Sequence, residues 1–222
     1  MRRAVILLGL ALVGCSTAPP RVGEPPPRVA DAAAEASYHQ VFERWTRHAE
    51  VYDVLDTRMF VAATLESADF RRAKVERLAL FQGLPTSARD AELARELALA
   101  EKGYEFFLGV HTPDPKINDF DRGSSIWRVA LHTSAGEVTP TEIVRLGRPD
   151  ANTRGLYLYL GDFWIGYRIR FPATLPDGRP VLTAEEREAS LRLSSAVGKA
   201  ELLFVAAPIA IAPGAVPAPA AR

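Results

Sequence analysis

Between Phe163 and Phe171 the chain alternates, with Phe163, Ile165, Tyr167, Ile169 and Phe171 at one set of places and Trp164, Gly166, Arg168 and Arg170 at the other. A helix cannot gather such a set onto one face, whereas a strand sends successive side chains to opposite sides of its sheet. The region is therefore committed to a half-buried strand. Carried back to Leu156, the pattern reads as a hairpin over Leu156 to Phe171 turned at Gly161-Asp162. A strand needs partners, and short β-rich runs bounded by Pro, Gly, Asp or Ser supply them at Met59 to Leu65, Phe106 to Thr112, Ile126 to His132 and Glu142 to Leu146. Leu191 to Leu193 and Ala200 to Val205 make a closing hairpin around Ala196-Val197-Gly198, and Pro176-Asp177-Gly178 makes a further turn. Tyr38 to Tyr52 is ambiguous, because Tyr38, Val41, Trp45 and Ala49 would also line a helix. The Trp-Thr-Arg and Val-Tyr segments, and the Asp53 to Asp56 turn that follows, favour strand.

Two helices interrupt this series. The first runs from Ser67, as N-cap, to about Gln82, with Gly83 as its stop and Pro85 beyond. The second runs from Ser87 to Lys102, opened by Ser87-x-x-Asp90 as a capping-box variant and stopped at Gly103. Phe70, Ala73, Leu78 and Phe81 on one, and Leu93, Leu97, Ala100 and Tyr104 on the other, fall at helical spacing. The expected fold is mainly β, an antiparallel β-sandwich with an inserted two-helix hairpin; the alternative is an α+β domain with one antiparallel sheet under two helices.

The amino terminus carries a different signal. Arg2 and Arg3 precede an apolar run from Ala4 to Val13, which has the parts of a secretory signal and is too short to span a bilayer. It ends in Leu12-Val13-Gly14-Cys15, which resembles the lipobox of bacterial lipoproteins over the first fifteen residues. The resemblance implies cleavage before Cys15, lipid on its thiol and acylation of the freed amine. Two or three chains anchor stably where one is marginal. Cys15 is the sole cysteine among 222 residues, so an internal disulfide is impossible even in an oxidising compartment. Ser16, where the family's inner-membrane retention rule wants aspartate, makes the outer membrane the default, with the chain facing the periplasm and exposure at the cell surface as the alternative.

The expected organisation is a signal peptide at 1–14, the lipidated cysteine and a Pro-rich tether at 15–30, one β-rich domain at 31–207 with helices near 67–82 and 87–102, and an Ala/Pro tail at 208–222. Basic and acidic residues number 27 each, which leaves no electrostatic footprint for nucleic acid. The lipid bilayer, reached through Cys15, and an envelope protein or glycan are the expected partners.

Familiar catalytic signatures are missing, including G-x-S-x-G, H-E-x-x-H, S-x-x-K and a Gly-rich phosphate loop, and no cofactor is expected. His39, His48, His111 and His132 are scattered along the chain. The polar stretch His111 to Ser124 offers Asp114, Asn118, Asp119 and Asp121 as oxygen donors, but their spacing misses the EF-hand, and a surface connection uses the same residues, so metal binding is not expected. The aromatic hairpin is the other concentration. Tyr157, Tyr159, Trp164, Arg168 and Arg170 are the candidate binding residues, since Trp, Tyr and Arg dominate binding hot spots. The leading functional reading is a non-enzymatic binding or structural module anchored at an envelope membrane. Its rival is a cell-wall hydrolase with Asp119, Asp121 and Glu142 as the first carboxylates to suspect.

Overall fold

In a computed structural model the chain is described over residues 32–183 and 188–205; the signal segment, Cys15, the tether and the tail from 208 lie outside the described residues. The alternating run becomes β7, Ile165–Pro172. It lies in a five-stranded antiparallel sheet with β1 (Thr46–Asp53), β2 (Asp56–Leu65), β3 (Gly103–His111) and β6 (Glu142–Gly147), in the order β1-β2-β3-β7-β6. A second antiparallel sheet orders β5 (Gly136–Val138), β4 (Arg128–Thr133), β8 (Glu188–Ser194) and β9 (Lys199–Val205). The fold is mainly β, a sandwich of two antiparallel sheets carrying helices, as the residue pattern predicts.

Register explains the layers. Phe106 pairs with Ile169 and Leu108 with Tyr167, so these side chains leave the first sheet on one side, toward the second. There they join Leu131, Leu191, Leu193, Leu202 and Phe204 in the core, with the rings of Phe106 and Phe204 5.3 Å apart. Arg47 closes the corner where β1 meets β9, its Nε donating to the Leu203 carbonyl at 2.7 Å. That occupies an acceptor of an edge strand which would otherwise be open to pairing.

The other side of the first sheet carries Thr64, Phe107, Gly109, Gly166 and Arg168, and the helices cover it. Helix α2, Ala68–Gln82, opens as predicted, with the Ser67 side chain accepting from the Phe70 amide, and ends at Gly83 in the left-handed region. Helix α3, Thr86–Ala100, differs at its start. Pro85 is the N-cap and makes no side-chain bond, so Ser87 sits inside the first turn rather than capping it.

Two expectations are corrected. Ala32–Trp45 is a helix, α1, not a strand; its Tyr38, Phe42 and Trp45 are buried at helical spacing, and strand begins only at Thr46. Likewise Leu156 to Phe171 is not a hairpin. Ala151–Leu156 is a short helix, α4, capped by Asp150, and its last turn runs into successive turns through Trp164. Among the described residues no helix is long and apolar enough to cross a membrane.

Candidate functional site

A cleft of about 490 Å³ opens on the helix-bearing side of the first sheet, bounded by α2, α3, the β6–α4 connection and β7. Strand register puts its residues there: Phe107 pairs with Arg168 and Glu105 with Arg170, and even-numbered β7 residues point away from the sandwich core. The ring of Tyr157 stacks on Phe107 with centroids 3.7 Å apart, which walls the cleft with a paired aromatic surface. Gly166 keeps the strand low beside it; a Cβ there would come within 3.0 Å of Phe107 Cζ.

Charged groups underlie this wall. Arg71, one turn before Lys74 on α2, is 1 % exposed and donates through Nη1 to Glu96 of α3 at 2.5 Å and through Nε to the Glu66 carbonyl at 2.9 Å. Its Nη2 lies 3.4 Å from Glu105. Lys74 Nζ bridges Glu66 at 2.5 Å and Glu96 at 3.0 Å, and the Tyr157 hydroxyl donates to Glu66 at 2.5 Å. Burial alone would push the Glu96 carboxyl up, but the neighbouring Lys74 and Arg71 cations outweigh it and hold the group below the usual carboxylate range. Burial and the Glu66 carboxylate together push the Tyr157 hydroxyl well up. The phenol stays protonated and donates.

The carboxylates of the cleft are thus taken. Glu96 is held by Arg71 and Lys74, Glu105 by Arg170 Nε at 2.6 Å, and Asp150 by its cap bond from Thr153. Two cations are not. Among the described residues neither the Arg168 nor the Arg148 side chain makes an ion pair or hydrogen bond, and the Arg168 Nε is buried without an acceptor. The balance of unspent charge in the cleft is positive.

Of the residues predicted from sequence, Tyr157, Arg168 and Arg170 come together here. Trp164 and Tyr159 do not line this cleft. They pack as a separate cluster over Gly109, whose Cβ position would lie 2.7 Å from Tyr159 and 3.1 Å from Trp164, with His111 alongside. Tyr159 donates to the Phe107 carbonyl at 3.1 Å and is spent on the scaffold. Phe163, placed by the alternation on the core face, is 76 % exposed because it precedes the strand.

The three suspected carboxylates do not converge. Glu142 bonds Arg170 on the helix-bearing side, whereas Asp121 pairs with Arg145, whose guanidinium lies over the Tyr167 ring on the other side. Asp119 accepts from Ser125 Oγ at 3.0 Å and organises its own loop, and the Asp114 carboxylate accepts from the Lys116 amide. No group of three or more metal-ligating side chains of the His, Cys, Asp or Glu type occurs among the described residues. Of the histidines, His48 meets Tyr159, His111 stacks on Phe60, and His132 lies between Glu137 at 2.7 Å and Arg192 at 3.1 Å on the second sheet. The network of Glu66, Arg71, Lys74, Glu96 and Glu105 was not foreseen; the one trace in the sequence is the cationic pair Arg71 and Lys74 at helical spacing on a helix that should be burying that face.

No family model matches the chain, and no curated protein matches it. A crystal structure described as a novel protein of unknown function from Burkholderia pseudomallei K96243 is similar over 77 % of this chain and 83 % of that one, at 12 % identity and a TM-score of 0.42.

Proposed function

We propose that the chain is an envelope lipoprotein, cut before Cys15 and held by acyl groups on that residue at the outer membrane facing the periplasm, and that its β-rich domain is a non-enzymatic binding module. The anchor is supported by the Leu12-Val13-Gly14-Cys15 segment behind a short apolar run, and by the use of the sole cysteine at that place. The binding role is supported above all by Arg168: a guanidinium that cannot shed its charge lies in a cleft, beside a stacked aromatic pair, with no side-chain acceptor among the described residues. Arginine and tyrosine at such a recess are the residues on which binding energy concentrates.

The anchor is tested by Cys15→Ser. The expected result is an uncut precursor and loss of the lipid-labelled, membrane-bound form in envelope fractions. Cleavage at the same place with retention at the membrane would refute the lipoprotein reading.

A further inference from the structure

The geometry points to an oxyanion seat in the cleft: we infer that Arg168 and Arg148 together receive a carboxylate or phosphate group of the bound ligand. This rests on the reading of the cleft as the binding site and names the chemistry that it recognises. Every acidic side chain lining the cleft already has a cationic or amide partner, Lys74 is held by the Glu66 and Glu96 carboxylates, and Arg170 is divided between Glu105 and Glu142. Arg95 is held outside by Glu92 and Glu96. Among the described residues only Arg148 and Arg168 bring charge to the cleft without spending it on a neighbouring side chain.

The two have complementary placements. Arg168 stands on a central strand, flanked by β3 and β6, so its stem is fixed and its Nε is enclosed. Arg148 is exposed on the connection that follows Gly147, a residue in the left-handed region, and can close over a ligand. A planar guanidinium offers two parallel donors in a fork that matches a carboxylate or a phosphate edge, which a lysine would not. Gly166 lets the Phe107 ring lie against the strand next to Arg168, so an anion on Arg168 has the body of its ligand beside the Phe107–Tyr157 wall.

The test uses the full chain in detergent micelles and reads the Nε–Hε resonance of Arg168, assigned by its loss in Arg168→Gln. Sodium acetate and inorganic phosphate are titrated in separate arms at constant ionic strength, with chloride as the control. The expected result is a saturable movement with one or both oxyanions and not with chloride, and a weakening of roughly tenfold or more in Arg148→Gln, as loss of a charged hydrogen bond implies. A phosphate preference identifies a phosphorylated ligand, and an acetate preference a peptide or sugar acid. A linear drift, an equal response to chloride, or unchanged binding in Arg148→Gln would overturn the inference. If an envelope component still cross-links to the cleft when neither oxyanion saturates, the anion seat fails and the binding-module reading stands.

Discussion

Arg71 shows how one side chain can tie a fold together from its inside. It faces Glu66 of the β2–α2 connection, Glu96 of α3 and Glu105 of β3, and among the described residues it is the one cation within 4 Å of all three. Its removal leaves charge without compensation in a low-dielectric place, so Arg71→Met is expected to cost about 3 to 5 kcal/mol in chemical denaturation. A loss under about 1 kcal/mol would mean that water reaches these carboxylates. Beyond the spacing of Arg71 and Lys74 this network was not legible in the sequence, because Arg71 and Glu96 are 25 residues apart and Tyr157 and Glu66 are 91 apart. Separations of that size leave no pattern in a window. Strain at single residues is equally hidden. Val54, at the tip of the β1–β2 hairpin, has φ of 57° and is the one non-glycine residue in the left-handed region among those described. A β-branched side chain fits there poorly. Val54→Asn is expected to raise stability by about 1 kcal/mol, since asparagine tolerates this backbone, and it should do so without altering the cleft. A fall in the unfolding midpoint would contradict this.

At the level of elements, boundaries signalled by side-chain chemistry were legible and abrupt junctions were not. Ser67 and Gly83 delimit α2 because a hydroxyl must satisfy an orphan amide and a glycine must turn the chain left-handed. Helix α1, by contrast, passes from Trp45 directly into β1 at Thr46, with no glycine or proline between them, so helical and strand patterns run together. The supposed first arm of the hairpin failed for another reason. Tyr157 and Tyr159 imitate strand alternation, while the Asp150 cap that starts α4 lies just upstream. The segment from Tyr157 to Trp164 is held down instead by its fit over the sheet, and Gly109 of β3 is what admits it. A side chain at this position would meet Leu160 and Tyr159, both at 2.7 Å. Gly109→Val is therefore expected to destabilise the protein by about 1 to 3 kcal/mol through overpacking, measured by urea denaturation. A neutral result would show that the aromatic segment can lift away without cost.

For the molecule as a whole, the sandwich was foreseeable from the period-two runs, whereas the placement of the site was not, because it depends on where the helices leave a gap on the sheet face they cover. The same charges give the protein a pH dependence. Besides Glu96, hydrogen bonds from the Thr153 amide and side chain hold the Asp150 carboxyl low, and bonds from Ser190 and then Arg192 hold Glu201 low. A folded carboxyl that takes up its proton less readily than the unfolded one contributes stability in full above the unfolded value, about 4. That contribution is lost as pH falls through the lower folded value. Stability should thus be flat near neutrality and decline in the acid range, with a shallower decline in Glu96→Gln; denaturation midpoints at pH 7 to pH 3 measure both slopes. An identical acid slope in the variant would remove Glu96 from the explanation. Whether the cleft is where the anchored domain meets its ligand is decided by photo-cross-linking in intact envelopes, with a photoreactive residue placed at position 146 on the rim of the cleft or at position 128 on the far sheet. An adduct of defined mass from 146, absent from 128 and abolished by Arg168→Glu, is the expected outcome; equal adducts from both positions, or one that survives Arg168→Glu, would show that the cleft is not the binding site.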